Sequence, residues 1–172
     1  MRAILLTVAA AALTVQRGLA GDCDAVTTAI VKHLHVAHRT TMVVTQPGSA
    51  DSTMLFVLLD GKLHINSNNA PTWTVIDLQP DAAEAMYRKS IVDENLVCHA
   101  GGSETIGGEV FDVVATHRKG ARGDIDSRIW ISRTTGLPFK VEDNLAGGRR
   151  ETSTYAYDNV VAPAASKPPP AQ

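Results

Sequence analysis

The sequence predicts an α+β fold in which one N-terminal amphipathic helix precedes an antiparallel meander. Three patterns predict it. Apolar residues recur every three or four positions between Asp24 and Ala37, β-branched and alternating residues take over from Thr40, and Gly-containing turn signals separate the alternating runs.

The helix comes first. Val26, Ala29, Ile30, Leu34 and Ala37 define one apolar face beside His33, and Asp24 is placed to cap the helix start. Strands are expected over 40–45, 52–59 and 62–66, with Asp60-Gly61 as a two-residue hairpin turn between the last two. In the second of these, Met54, Phe56 and Leu58 alternate with Leu55, Val57 and Leu59, so both faces are apolar and each needs a cover. Residues 72–78 form another strand candidate. Pro80 and Asp81 then open a short helix over 82–87 that could lie across a sheet opening.

The second half reads as sequential hairpins. Alternation runs through 110–116 and 125–132; Thr134-Thr135-Gly136 turns into a strand at 139–142, and Gly147-Gly148 turns into one at 152–157. Gly101-Gly102-Ser103-Glu104 reads as a flexible loop and Gly107-Gly108 as a hairpin turn. Neither forms a nucleophile elbow or a dinucleotide-binding fingerprint.

Export is the expectation from the first residues. Arg2 gives a positive start, Ala3 to Val15 is an apolar run of about thirteen residues, too short to span a bilayer, and Gly18-Leu19-Ala20 fits a peptidase site. Residues 1–20 are thus expected to be a signal peptide cleaved after Ala20, with a single mature domain over 21–163 in the periplasm and a disordered Pro-rich tail at 164–172. Asp22 before Cys23 does not suit lipid attachment, which wants a small residue there. Of the 16 Lys plus Arg, Arg2 and Arg17 leave with the leader, so 14 remain against 18 Asp plus Glu. That mild acidity excludes a nucleic-acid partner, and the basic spots around Arg118 to Arg122 and at Arg149-Arg150 are interleaved with Asp124, Asp126, Glu142, Asp143 and Glu151 as solvated loops would be.

Cys23 and Cys98 are the only cysteines. An even number in an oxidising compartment favours a disulfide between them, with a reactive or metal-binding pair as the alternative, although neither CxxC spacing nor a Cys-His cluster is present. His33, His35 and His38 lie close together, yet no two of them stand four apart on a helix as a zinc pair would. They read as partly exposed helix or loop residues. No catalytic, cofactor-binding or metal motif is found, and a non-enzymatic role without cofactor is expected. Met54, Phe56, Leu58, Trp73, Met86, Trp130 and Tyr155 are the candidates for lining an apolar pocket, Met for its adaptability and Tyr for its polar handle; for the tryptophans a plain core role competes.

Several stretches carry a family resemblance. Glu104-Thr-Ile-Gly-Gly-Glu-Val-Phe-Asp-Val113, Arg128-Ile-Trp-Ile-Ser132, Thr135-Gly-Leu-Pro138 and Thr154-Tyr-Ala-Tyr-Asp158 before Pro163, in this order after an exported start and a helix, resemble the outer-membrane lipoprotein-carrier (LolA/LolB-like) superfamily. The resemblance covers most of the mature chain. It implies a strongly curved antiparallel sheet, an incomplete β-barrel, with the N-terminal helix and short helices covering the open side. It also implies apolar cargo between sheet and helices, so that a lipid or acylated protein is one expected partner. The alternative, an interaction or sensor module with a filled core that recognises another envelope protein, draws on the low aromatic content of 5% and the Pro-rich tail, which can act as an extended spacer.

Overall fold

The computed structural model describes residues 23–120 and 123–164. Residues 1–20, expected as a leader, the expected tail beyond Ala164, and Arg122 lie outside the described residues. Two helices and nine strands follow one another: α1 (Asp24–Leu34), β1 (His38–Thr45), β2 (Ser52–Leu59), β3 (Lys62–Ser67), β4 (Thr74–Asp77), α2 (Pro80–Asp93), β5 (Val97–Ile106), β6 (Glu109–Gly120), β7 (Gly123–Ser132), β8 (Pro138–Leu145) and β9 (Arg150–Ala156).

All nine strands form one antiparallel sheet in the order β4-β3-β2-β1-β9-β8-β7-β6-β5. Pairing of β1 with β9 joins the two meanders, while β4 and β5 end the sheet without pairing to each other, which leaves the barrel incomplete. The Asp60-Gly61 turn has both residues at positive φ, 51° and 71°, the backbone that a two-residue hairpin with the strands' right-handed twist requires.

Helix α1 carries Asp24 in its first turn and Lys32 in its last, each complementing the helix dipole. The N-cap is Cys23 rather than Asp24, with no side-chain cap, and Cys23 is bonded to Cys98. Val26 and Ala29 are buried against Cys98, Val114, Ile129 and Ile131, with Ile30, Leu96 and Val141 packed around them. Helix α2 runs two turns further than the short segment its sequence suggests. Pro80 starts it, ion pairs Arg88–Glu84 and Lys89–Asp93 span successive turns, and Asn95 at φ 48° ends it. There the Leu96 amide reaches back to the Ile91 carbonyl and that of Asn95 to Val92, closing the helix end. No helix among the described residues is long and apolar enough to cross a membrane.

Two segments depart from their sequence-based assignments: residues 118–120, read as a solvated loop, complete β6 and pair with β7. Gly101 to Glu104, expected as a loop, belongs to edge strand β5, which pairs with β6 on both sides of a bulge between Ala100 and Ser103. Glycine there reflects close approach: a Cβ on Gly101 would stand 3.0 Å from the Val113 carbonyl oxygen.

Candidate functional site

Antiparallel register sorts the side chains into two faces, since directly paired residues point the same way. Ile129 pairs with Val114 and Val141, and this row packs under α1. Continuing through β9 and β1, Val141 pairs with Ser153, Ser153 with Met42 and Met42 with Met54. The next row runs from Tyr155 through Thr40 and Phe56 to Ile65, and Leu58 faces His38 one step further on. Met54, Phe56, Leu58 and Tyr155 thus share the helix-bearing face.

Trp130 lies on the other face. It pairs with Val113 and Lys140 and is buried with Phe111, Val113 and Phe139 in a second apolar cluster. The Arg128 guanidinium and the Lys140 ammonium each sit 4.7 Å from its ring centroid, and its indole N–H donates to Glu104 at 2.9 Å. Met86 projects from α2 with 74% of its surface exposed, and Trp73 is half-buried ahead of β4.

A cavity of about 280 Å³ opens between the two helices and the helix-bearing face of β6 to β9. Of the side chains singled out from the sequence, Tyr155 lines it; Leu58 lines a separate pocket of about 250 Å³ beside the Asp60-Gly61 turn. Val26 and Ile30 from α1, Ile91 from α2 and Ile129 and Val141 from the sheet supply most of the apolar wall. Thr116, Ser127 and Asp143 form a polar row directly beside the Val114–Ile129–Val141 row, two residues along each strand or about 7 Å away.

Two of the wall's polar residues were expected in solvent. Arg118 stands in β6 and its guanidinium donates to Glu94 at 2.8 Å. Asp143 faces inward from β8, and burial, with the Glu151 charge, raises its carboxyl above its ordinary value against the lowering effects of a Ser127 hydrogen bond and the Arg118 charge. Burial, reinforced by Asp143, pushes the Tyr155 phenol up to about 12, and burial also raises that of Tyr87. Both phenols are therefore neutral at neutral pH. The strand period carries the signal for Asp143: it stands two residues from Val141. Register is needed to read it, because the acids and bases around it look alike in one dimension.

Behind Tyr155 the aromatic wall continues. His33 and Tyr155 meet edge to face at 4.7 Å, and His33 Nδ1 lies 3.1 Å from the Tyr157 hydroxyl, which in turn donates to the Pro138 carbonyl at 2.7 Å. His38 is buried, donating from Nδ1 to the Val36 carbonyl at 2.8 Å, rather than partly exposed as its sequence position suggests. His35 is exposed and pairs with Glu84 of α2 at 3.1 Å. Among the described residues no group of three His, Cys, Asp or Glu side chains could hold a metal ion.

No protein-family model matches the chain, and no curated protein does. Among solved structures it is similar to a chain of the MucA/MucB complex of Pseudomonas aeruginosa, at 17% identity over 81% of this chain and 60% of that one, with a TM-score of 0.41. It is also similar to a LolA-superfamily protein from Nitrosomonas europaea, at 7% identity over 70% of this chain and 84% of that one with a TM-score of 0.27. A third is a DUF1329-family protein from Desulfovibrio piger, at 9% identity over 80% and 93% with a TM-score of 0.31. This chain spans about three fifths of the length of the MucA/MucB chain. At these identities the likeness concerns fold alone.

Proposed function

We propose that this is an exported, non-catalytic binding protein of the periplasm that holds an apolar or amphipathic ligand between its sheet and its helices. The observation that carries this reading is the cavity beneath α1 and α2, where aliphatic side chains from both layers leave about 280 Å³ unfilled. A binding site of this kind is concave, mostly apolar and supplied with a few convergent polar groups, here Thr116, Arg118, Ser127, Asp143 and Tyr155. Met54 and Phe56 extend the same face beyond the helices and are only half-buried, so they are assigned to its continuation, as a path along which an apolar chain could lie.

The test is native mass spectrometry of protein recovered from the periplasm, followed by titration with an environment-sensitive fluorophore. A copurifying small amphiphile or saturable uptake supports the reading; a ligand-free protein with no saturable uptake sinks it. Recognition of another envelope protein is a second reading. It is favoured by Met86 and Val92, which α2 turns to solvent at 74% and 75% exposure.

A further inference from the structure

The charges on the cavity wall do not cancel. Glu94 and Asp143 supply two negative charges and Arg118 one positive, and the Arg118 guanidinium is engaged with Glu94 at 2.8 Å. Asp143 thus faces the cavity with a hydroxyl neighbour, Ser127, and among the described residues Arg118 is the one cation on the lining. Tyr87 from α2 and Tyr155 from β9 stand on the same wall, and the two phenols and Asp143 are near enough for the charges of Asp143 and of Tyr87 each to bear on the ionisation of Tyr155. A neutral aromatic face beside a carboxyl that shares its one nearby cation, Arg118, with Glu94 is a surface suited to ammonium groups, through the ring quadrupole and the ion pair together. An anion on that wall would meet two acidic groups for one cation.

Size narrows the choice further. A volume of about 280 Å³ corresponds to roughly nine water-sized groups. One short aliphatic tail fits such a space, and several acyl chains do not. The polar row Thr116–Ser127–Asp143 also lies directly beside the apolar row Val114–Ile129–Val141, so that a head and the first carbons of its tail would each meet matching chemistry.

We propose that the cavity selects single-tailed amphiphiles with a cationic head, the ammonium group seated on the Asp143 carboxylate beside the Tyr87 and Tyr155 rings and the tail against Ile30, Ile129 and Val141. This rests on the ligand-binding reading above and names the chemistry it would take. A lipid amine and a free alkylamine share that chemistry.

The probes are octylammonium, octanol and octanoate, which share a tail and differ in head charge, titrated calorimetrically into the full exported protein at neutral pH and low salt. Octylammonium should bind roughly tenfold more tightly than octanol, with octanoate weakest. Asp143→Asn should bring octylammonium to the level of octanol measured on the same variant, and a near-ultraviolet dichroism spectrum matching that of the unaltered protein certifies an intact fold. If that variant does not fold, the order of the three probes on the unaltered protein, and the loss of the ammonium preference in high salt, decide the matter. Octanoate binding as tightly as octylammonium overturns the proposal while leaving the ligand-binding reading in place, and so does an ammonium preference that survives in Asp143→Asn. Binding of none of the three overturns both.

Discussion

The imidazole rings of His33 and His38 stack with centroids 3.6 Å apart, bringing the end of α1 onto the start of β1 beside Tyr155. Two cations could not share that position. Burial, and then the charge of His38, push His33 down from 6.5 to about 3, and burial also lowers His38. In the unfolded chain His33 takes a proton near pH 6.5; in the folded chain it does so only near pH 3. Its contribution is therefore complete above about pH 6.5 and is lost as the pH falls toward 3, by about 1.4 kcal/mol per pH unit. Asp143, raised by burial, acts with the opposite sign at the acid end of this window. Urea midpoints should fall between pH 6.5 and 4, and the slope should flatten in His33→Leu. An equal slope in that variant would place the acid sensitivity elsewhere.

The bridge between Cys23 and Cys98, 75 residues apart, holds the start of α1 to the edge strand whose Cys98 lies in the main apolar cluster. Loop-closure entropy sets the scale at roughly 4 kcal/mol. Cys23→Ser with Cys98→Ala should lose up to that amount in urea unfolding, and hydrogen exchange in α1 should accelerate more than in β1 to β3, since Val26 and Ala29 are seated next to the bridge. Unchanged α1 protection in the double variant would show that packing alone holds the helix.

The parts legible in the sequence are those whose signal is local. The three-and-four spacing of Val26, Ala29 and Ile30 gave α1, Asp60-Gly61 gave the β2–β3 hairpin, and the strict alternation of Met54, Phe56 and Leu58 put them on one face, where the structure also has them. Pairings between distant segments carry no local signal. The face of Trp130 depends on its pairing with Val113 and Lys140, and the inward turn of Asp143 on its pairing with Ser127 and Glu151. Composition misled at β5, where glycines that look like a loop serve a bulge pressed against Val113.

That bulge is itself testable. A methyl group on Gly101 would meet the Val113 carbonyl oxygen at 3.0 Å and Val113 Cγ1 at 3.2 Å. Val113 is 1% exposed within the outer cluster, so neither it nor the backbone can yield freely. Gly101→Ala should cost about 1–3 kcal/mol by overpacking, read as a lowered thermal midpoint. Gly48, with open space around its Cβ position but φ at 77°, supplies the comparison: Gly48→Ala meets only the left-handed backbone cost of about 1–2 kcal/mol and should leave near-ultraviolet dichroism of the Trp130 region untouched, whereas Gly101→Ala should alter it. Equal spectra for the two variants would mean that β5 does not press on the outer cluster.

The two faces of the sheet should separate stability from ligand uptake. Trp130→Phe keeps a ring near Arg128 and Lys140 but removes the indole N–H that donates to Glu104 at 2.9 Å. The Glu104 carboxyl remains within reach of Arg128, so the loss should stay near 1 kcal/mol. Uptake of an apolar fluorophore should not change, because the ring points away from the cavity. Val141→Phe acts from the opposite side: it adds bulk to a half-buried side chain that lines the cavity next to Ile129, and the unfilled space can receive the ring. Stability should then change by less than about 1 kcal/mol while fluorophore affinity falls at least severalfold. Thermal melts and fluorophore titrations on both variants measure the two quantities independently. If Trp130→Phe weakened uptake and Val141→Phe did not, the ligand would have to lie on the outer face, and the cavity under α1 and α2 would be a packing void with no binding role.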